Sequence, residues 1–213
     1  MAVVQLRKYI KRYTSLRYAS KALKTHTLLL PKPSKWDDLN DQHFVELYRN
    51  HVSAESVYAL CCTMGAERYH HWRVFADGVT GVCLEFERAP FQHALNRMNG
   101  VRAGPVKYLK MNELNPAEGY RAEDLPFIKR IGYRDEREWR VLVTSADKNS
   151  DFFEIPFEQH WIHRIILNPW ISASDAESAR RTLRPLVEGS TSISGSFLRN
   201  SKKWKVLGEA LVR

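Results

Sequence analysis

The residues with the clearest potential for chemistry lie in an acidic run at positions 135–140 that leads into a Val-Leu-Val triplet. Successive side chains of a strand point to opposite faces. A strand over this run would therefore place Glu136, Glu138 and Arg140 on one face and Arg137 on the other. Two neighbouring carboxylates beside an arginine fit three roles: an acid/base pair, an electrostatic partner for a cationic intermediate, or a salt-bridge ladder. Taken alone, the pattern is most typical of a salt-bridged strand edge.

A second candidate segment, Arg-Tyr-Thr-Ser-Leu, occupies positions 12–16. It falls where a predicted strand over residues 3–13 meets a predicted helix over residues 16–24. Hydroxyls, backbone N–H groups and a guanidinium at such a junction can bind an anion. Composition alone favours the simpler interpretation, in which Ser15 caps the helix and Arg12 is a surface arginine.

Two further segments combine aromatic and polar side chains. Trp36 and a Leu-Asn-Asp triplet at 39–41 lie in a stretch, residues 34–42, that is predicted to be a polar loop. A ring and an amide in a loop can stack on a ligand and hydrogen-bond to it. The equally weighted alternative is an Asx-type turn with Trp36 covering the edge of the core. Trp72 shares a predicted helical face with Phe75, a pattern that is more typical of core packing than of a binding site.

Several common kinds of site have no counterpart in the sequence. His70 and His71 are adjacent and diverge on a helix, and His160 and His163 have no carboxylate or thiol pattern beside them, so no metal site is predicted. Three aspartates near residue 40 keep a nuclease as a weak alternative. No Gly-rich phosphate loop occurs, which excludes P-loop and Rossmann enzymes. Serine-hydrolase chemistry is poorly supported, because no Gly-x-Ser-x-Gly elbow occurs. The three cysteines are predicted to be small buried hydrophobes.

The chain as a whole has the composition of a globular protein with a basic surface. Its 213 residues are 44% hydrophobic and 27% charged, and its net charge is +9. No apolar run reaches the roughly 20 residues of a membrane span, and the basic N-terminus lacks the apolar segment of a secretory signal. We therefore expect a cytoplasmic protein without a membrane partner. The basic residues concentrate at both ends of the chain, which favours a nucleic-acid partner if the two ends meet.

Predicted strands and helices follow one another irregularly along the chain. Strands are predicted at 3–13, 27–30, 57–63, 81–86, 101–108, 138–144, 152–155 and 164–167. Helices are predicted at 16–24, 66–76, 90–99 and 174–186, with a helical turn over 43–49. Without a regular βαβ alternation, this order favours an α+β fold with a mixed, largely antiparallel sheet flanked by helices. We expect one domain over residues 1–213, ending in a basic tail from about residue 197.

Taken in order, these segments resemble a family of unknown function found in bacteria and phages. The series consists of RYTSL at 12–16, LND at 39–41, W-x-x-F-A at 72–76, GVCLEF at 81–86, E-x-E-W-R at 136–140 and IIL at 165–167. The similarity spans nearly the whole chain. Two positions depart from the family pattern: Gln42 stands where proline is usual, and Phe75 stands where tyrosine is usual.

More distantly, the layout resembles the ADP-ribosyltransferase superfamily, including its branch of DNA- and RNA-modifying toxins. The resemblance implies an ADP-ribosyltransferase-like fold, a first-strand residue that contacts NAD, here Arg12, and a late-strand catalytic glutamate, here Glu138. The Ser-Thr-Ser element of some branches is not cleanly present, and Cys62-Thr63 is the nearest stretch. The implied residues are Glu138 and Glu136 for catalysis, and Arg12, Tyr13, Thr14, Ser15, Trp36, Asn40, Asp41 and Trp72 for NAD binding.

The implied function is that of an NAD-dependent ADP-ribosyltransferase, a toxin or phage-defence effector that uses NAD as a substrate and modifies nucleic acid. An antitoxin or another protein of a defence complex is an implied partner. The alternative is a non-enzymatic nucleic-acid-binding or regulatory module, in which Glu136, Glu138 and Arg140 are structural. Convergence of Arg12, Asn40 and Glu138 in one cleft would favour the enzyme, and their dispersal would favour the module.

Overall fold

The computed structural model describes residues 8–212 of the chain. The strands are β1 (Tyr9–Thr14), β2 (Thr27–Pro31), β3 (Ser56–Thr63), β4 (Val82–Glu87), β5 (Val101–Pro105), β6 (Lys107–Leu109), β7 (Ile128–Arg130), β8 (Glu138–Ser145), β9 (Phe152–Pro156), β10 (Ile162–Leu167) and β11 (Ser192–Gly195). The helices are α1 (Leu16–Thr25), α2 (Leu39–His51), α3 (Tyr69–Phe75), α4 (Arg88–Leu95), α5 (Ala173–Leu183) and α6 (Lys202–Glu209). Residues 3–7 of the predicted first strand lie outside the described residues.

Seven of the described strands form a central sheet in the order β11-β10-β4-β1-β3-β8-β5. β10 and β11 pair in parallel, whereas the other neighbours pair antiparallel. β1 pairs with β4 from Tyr9 to Thr14, but it pairs with β3 only at Lys11 and Thr63. The sheet therefore opens between β1 and β3. The predicted α+β fold, with a mixed, largely antiparallel sheet flanked by helices, is confirmed.

Helices cover the two faces of this sheet differently. On one face, apolar side chains of α1, α4 and α5 pack on strand residues such as Ile10 and Leu84 in one large core. On the other face, α2 packs on β3 and β8 through Val45 and Tyr48, while α3 packs on β1 and β4 through Trp72. A gap therefore remains between α2 and α3, over the opening between β1 and β3.

The wall of the gap on the α2 side begins with a capped helix. The Asp38 side chain accepts a hydrogen bond from the Asn40 N–H at 3.1 Å and caps α2, which is a role that aspartate fills well. The prediction of a polar loop over residues 34–42 is therefore wrong in its second half. Asn40 and Asp41 lie in the first turn of this helix, and the side chain of Asp41 is buried.

The strand that contains the end of the acidic run begins later than the sequence pattern indicates. Ile131–Glu136 form a 3-10 turn, and Arg137 follows in the left-handed region at φ 45°. β8 begins only at Glu138, so the prediction that Glu136 shares a strand face with Glu138 is wrong. Glu138 and Arg140 do lie on one face of the strand, as predicted, because they are two residues apart within it.

Several other boundaries differ from the predicted ones. α2 extends over 13 residues, where the sequence pattern indicates only a turn over 43–49. The predicted strand over 101–108 is divided into β5 and β6. Residues 113–130, a connector with only a weak sequence pattern, contain 3-10 turns and β7, and the Ser/Gly/Thr-rich stretch 189–196 contains β11. The basic tail contains α6, whose side chains are all exposed. None of the described helices is long and apolar enough to cross a membrane.

Candidate functional site

A cleft of about 360 Å³ lies over the opening between β1 and β3, a volume that falls within the range of small-molecule sites. One wall consists of the 3-10 turn at 33–35 with the start of α2, and the opposite wall is α3. The floor consists of β1, β3 and β8. The lining includes Lys11, Arg12, Tyr13, Lys35, Trp36, Asp41, Cys61, Thr63, His70, Phe75, Lys129, Glu136 and Glu138.

Arg140 lies beside the cleft, against the Trp36 ring, and holds two carboxylates. Its side chain is fully buried. Nε and Nη2 donate to Glu138 at 2.7 and 2.9 Å, while Nη1 and Nη2 donate to Asp41 at 2.9 and 2.7 Å. Nη1 also donates to the Pro126 carbonyl at 2.6 Å. Every N–H of the guanidinium is therefore used. Arg140 fixes side by side two acids that come from distant parts of the chain.

Lys129 contacts the same acidic cluster from within the cleft. Its Nζ lies 2.7 Å from a Glu136 oxygen, 3.6 Å from Glu138 and 3.7 Å from Asp41. The three carboxylates outnumber the two cations of Lys129 and Arg140. The cluster therefore keeps an excess negative charge when every group is ionised, which favours a positively charged ligand or intermediate.

Hydrogen bonds also hold the backbone at both glutamates. The Thr63 hydroxyl donates to the Glu136 carbonyl at 2.5 Å, and the Glu138 N–H donates to the Tyr108 hydroxyl at 2.8 Å. Between these anchors, the left-handed conformation of Arg137 turns the chain. Both glutamates therefore reach the cleft although only Glu138 belongs to the strand.

The two glutamates differ in their affinity for a proton. Burial raises the pKa of Glu138, but the charge and hydrogen bonds of Arg140, with the charge of Lys129 and a hydrogen bond from Cys61, together lower it by more, and the resulting pKa lies below the usual value. Burial raises the pKa of Glu136 above the usual value, and Lys129 offsets only part of that rise. Neighbouring acids whose pKa values are pushed apart are suited to separate roles, one as a permanent charge and the other as a proton acceptor.

Arg12 lies in the opening between the two strands. Its Nη1 donates to the Cys61 carbonyl at 3.0 Å, and its guanidinium forms no ion pair with a carboxylate of residues 8–212. It lines both the cleft and a second recess of about 290 Å³ on the α1 side of the sheet, and Lys35 does the same. Two cations at the junction of two recesses are suited to binding phosphate groups.

Trp36 provides aromatic surface in the cleft, whereas the Tyr13 ring is buried at its edge. The Trp36 ring packs over the guanidinium of Arg140, whose Cζ lies 4.6 Å from the ring centroid. The Tyr13 ring meets Trp72 edge-on, with ring centroids 4.8 Å apart. Trp72 itself is buried behind the cleft, where its Nε1 donates to Glu67 at 2.7 Å. Trp72 therefore supports Tyr13 and does not line the cleft.

The structure brings most of the predicted site residues together. Those that line the cleft are Arg12, Tyr13, Trp36, Asp41, Glu136 and Glu138. Thr14 lines the second recess, and Asn40 lines a third recess beside the cleft. Ser15 caps α1, as predicted, by accepting a hydrogen bond from the Tyr18 N–H at 3.1 Å.

Sequence reasoning missed the residues that support the acids. Lys129 lies in a connector without a periodic pattern, and it reaches the cleft because β7 pairs with β6. Tyr108 and Thr63 act through single hydrogen bonds that no spacing reveals. Cys62 and Cys83 are buried, as predicted, whereas Cys61 is only partly buried because it lines the cleft floor on the other face of β3. Within residues 8–212, no group of three His, Cys, Asp or Glu side chains is arranged to hold a metal ion.

The fold and the site together define an α+β protein with a charged cleft where its central sheet opens. No protein-family model and no curated protein matches the sequence, so the predicted relation to the bacterial and phage family stays a prediction. Among solved structures, the chain is similar to Thermus sp. 2.9 DarT in complex with NAD+, with 11% identity and a TM-score of 0.44 over 92% of this chain and 96% of that one. It is also similar to Thermus sp. 2.9 DarT in complex with ADP-ribosylated ssDNA, with 11% identity and a TM-score of 0.43 over 92% and 95% of the two chains.

Proposed function

We propose that this protein transfers ADP-ribose from NAD to a nucleic acid, as a toxin or phage-defence effector. The observation that carries the proposal is that Arg12 and Glu138 line one cleft, in which Arg140 holds Glu138 ionised. In the reaction, the bond between nicotinamide and ribose breaks and nicotinamide leaves with the bonding electrons. A nucleophile of the acceptor then bonds to the ribose carbon and releases its proton.

We assign to Glu138 the stabilisation of the positive charge that develops on the ribose. Departure of nicotinamide builds positive charge on the ribose ring, and a fixed carboxylate beside the ring lowers the energy of that state. The lowered pKa of Glu138 keeps its carboxylate charged into the acidic range. Because Arg140 fixes both oxygens, the carboxylate does not need to reorient as the charge develops. The excess negative charge of the cluster offsets the neutralising effect of Arg140.

The remaining parts of NAD fit the other groups of the cleft. Arg12 and Lys35 are assigned to the diphosphate, because they lie where the cleft meets the second recess. Trp36, which is half-buried, offers a face against which an aromatic ring of NAD can pack. The cleft and the recess, of about 360 and 290 Å³, are together in the size range of sites for large cofactors.

A nucleic acid is the acceptor class that the charge of the protein favours. The net charge of +9 attracts a polyanion, and the acceptor is expected to bind less tightly as the salt concentration rises. NAD+ and ADP-ribosylated ssDNA are the ligands named for the DarT complexes. The ligands proposed here belong to the same classes, and they are proposed from the lining of the cleft and the charge of the protein. We place this activity in the cytoplasm, where an antitoxin would be needed to restrain it.

Replacing Arg12 with glutamine is expected to raise the dissociation constant for NAD by about ten- to a hundredfold, since a hydrogen bond to a charged group contributes roughly 1.5–3 kcal/mol. Glutamine keeps an N–H donor for the Cys61 carbonyl. Titration calorimetry measures the effect, and Arg17→Gln on the exposed side of α1 is the matched control with unchanged affinity. If the Arg12 and Arg17 variants bind NAD with equal affinity, Arg12 does not bind NAD.

We assign to Glu136 the role of the base that removes the proton from the attacking group of the nucleic acid. Its raised pKa makes it the stronger base of the two glutamates. Transfer to the acceptor is expected to decline as the pH falls through the raised pKa of Glu136, where the carboxylate becomes protonated. Glu136→Gln should lose this acid limb and most of the transfer, while nicotinamide release into water continues. Rates of both reactions measured across pH test the assignment. A variant that keeps the acid limb would contradict it.

The alternative function, a nucleic-acid-binding module without catalysis, makes a different prediction for the same residues. In that case, binding depends on surface lysines and arginines and is indifferent to Glu138. Arg12 and Glu138 share a cleft, which favours the enzyme, whereas Asn40 lies in the neighbouring recess. Nucleic-acid binding without any consumption of NAD would support the module.

A further inference from the structure

The exposed side of α1 carries three cations in a row. Arg17, Lys21 and Lys24 are spaced by four and three residues, so they lie on one side of the helix, and all three are exposed. None of them forms an ion pair with another residue of the described part of the chain, and α1 contains no acidic residue. We call these three residues the α1 basic stripe.

The packing of α1 on its neighbours fixes the position of its cations. Ala19, Ala22 and Leu23 on the opposite side of α1 are buried in the large core, which holds the helix in place on the sheet. α5 packs beside α1 and carries the exposed Arg181. Because α5 also carries the exposed Asp175 and Glu177, the basic charge at this place comes from α1 itself.

The α1 basic stripe also borders the proposed active site. Tyr18, next to Arg17, has 49% of its side chain exposed and lines the second recess together with Ala19 and Ala22. That recess shares Arg12 and Lys35 with the cleft. A strand that lies along α1 would therefore pass a recess that borders the cleft at Arg12 and Lys35, with the exposed ring of Tyr18 at the point where a base can stack.

We propose that the α1 basic stripe binds the phosphate backbone of a single-stranded nucleic acid and presents the strand to the cleft. Arg17 and Lys24 are about 10 Å apart along the helix axis, which matches roughly three nucleotides of a stacked strand. A membrane surface fits less well, since the apolar side of α1 is buried and cannot insert among lipids. This inference rests on the proposed function, because the bound strand is the acceptor.

The test compares two triple variants that remove the same charge. Arg17→Gln/Lys21→Gln/Lys24→Gln removes the α1 basic stripe, and Lys202→Gln/Lys203→Gln/Lys205→Gln removes three lysines of the exposed helix α6. Fluorescence anisotropy with a labelled single-stranded DNA oligonucleotide gives the dissociation constant over a range of salt concentrations. Nicotinamide release without acceptor is measured in parallel, and it should be unchanged in both variants because neither set of residues lines the cleft.

The α1 variant is expected to bind the oligonucleotide about tenfold more weakly or worse, and its plot of log affinity against log salt should be less steep by about 2, or roughly 0.7 for each lost phosphate contact. The α6 variant should change affinity by less than about threefold. Equal losses in both variants would show an effect of net charge only and overturn the proposal. It would also fail if the wild type binds anionic lipid vesicles through α1 but not the oligonucleotide. The two claims can also fail separately. If the wild type releases no nicotinamide but binds the oligonucleotide, and the α1 variant does not bind it, the binding surface is supported and the proposed function is refuted.

Discussion

Glu138→Gln is expected to lower the rate of nicotinamide release from NAD by about 10²- to 10³-fold, because removal of one fixed electrostatic group costs catalysis of this order. Glutamine has the same shape but lacks the charge that balances the developing cation on the ribose. The affinity for NAD should change far less than the rate, because the carboxylate acts mainly in the transition state. Single-turnover rates together with calorimetry separate the two effects.

Glu85→Gln is the matched control for this substitution. Glu85 is as buried as Glu138 and pairs with Arg164 at 2.8 Å and with Lys11 at 2.9 Å, but it does not line the cleft. Its replacement should destabilise the fold through a similar loss of ion pairs and leave nicotinamide release within a few-fold of the wild type. A Glu85 variant as inactive as the Glu138 variant would show that stability, not catalysis, explains the loss.

Arg140→Lys is expected to lower the free energy of unfolding by about 3 kcal/mol or more, because an ammonium has three N–H donors where the guanidinium has five, and each buried acceptor left without a donor costs roughly 1–3 kcal/mol. A lysine has one ammonium group and cannot reproduce the paired hydrogen bonds that Arg140 makes to Glu138 and Asp41. The packing of Trp36 over the guanidinium is lost as well. Denaturant unfolding measures the change. A loss below about 1 kcal/mol would mean that the network contributes little to stability.

Arg164→Lys provides the comparison for Arg140. Arg164 also binds a buried carboxylate, that of Glu85, but its own side chain is 40% exposed. Water and a nearby lysine, Lys11, can compensate for the lost contacts, so the expected cost is about 1 kcal/mol or less. The difference between the two arginine-to-lysine substitutions therefore isolates the effect of full burial.

The local structure around the site was largely predictable from the sequence, because it depends on short-range signals. Ser15 is a good helix cap that precedes an amphipathic run, and the alternation of Glu138 and Arg140 requires that they share a strand face. The start of α2 was not predicted, since Asp38 fits both a loop and a helix cap. The turn at Glu136 was also missed, because a left-handed arginine has no reliable signature in sequence.

The cleft itself could not be derived from local patterns. It exists because β1 diverges from β3 after a single paired position, Lys11 with Thr63, and that register is set by packing across the whole sheet. Lys129 reaches the acids only through this tertiary arrangement. The family resemblance anticipated that Arg12 and Glu138 would meet, but it did not anticipate that Asp41 would bind the same arginine as Glu138. It was therefore easier to predict which residues line the cleft than to predict which residues they bind.

The central claim is that the cleft cleaves NAD at its nicotinamide bond. The most direct measurement incubates wild-type protein with NAD and a single-stranded DNA oligonucleotide, then quantifies nicotinamide and the mass of the oligonucleotide. We predict stoichiometric release of nicotinamide with a gain of one ADP-ribosyl group on the oligonucleotide, and both products should form about a hundredfold more slowly or worse with Glu138→Gln. Intact NAD after incubation with folded wild-type protein, with or without the oligonucleotide, would contradict the assignment of this cleft.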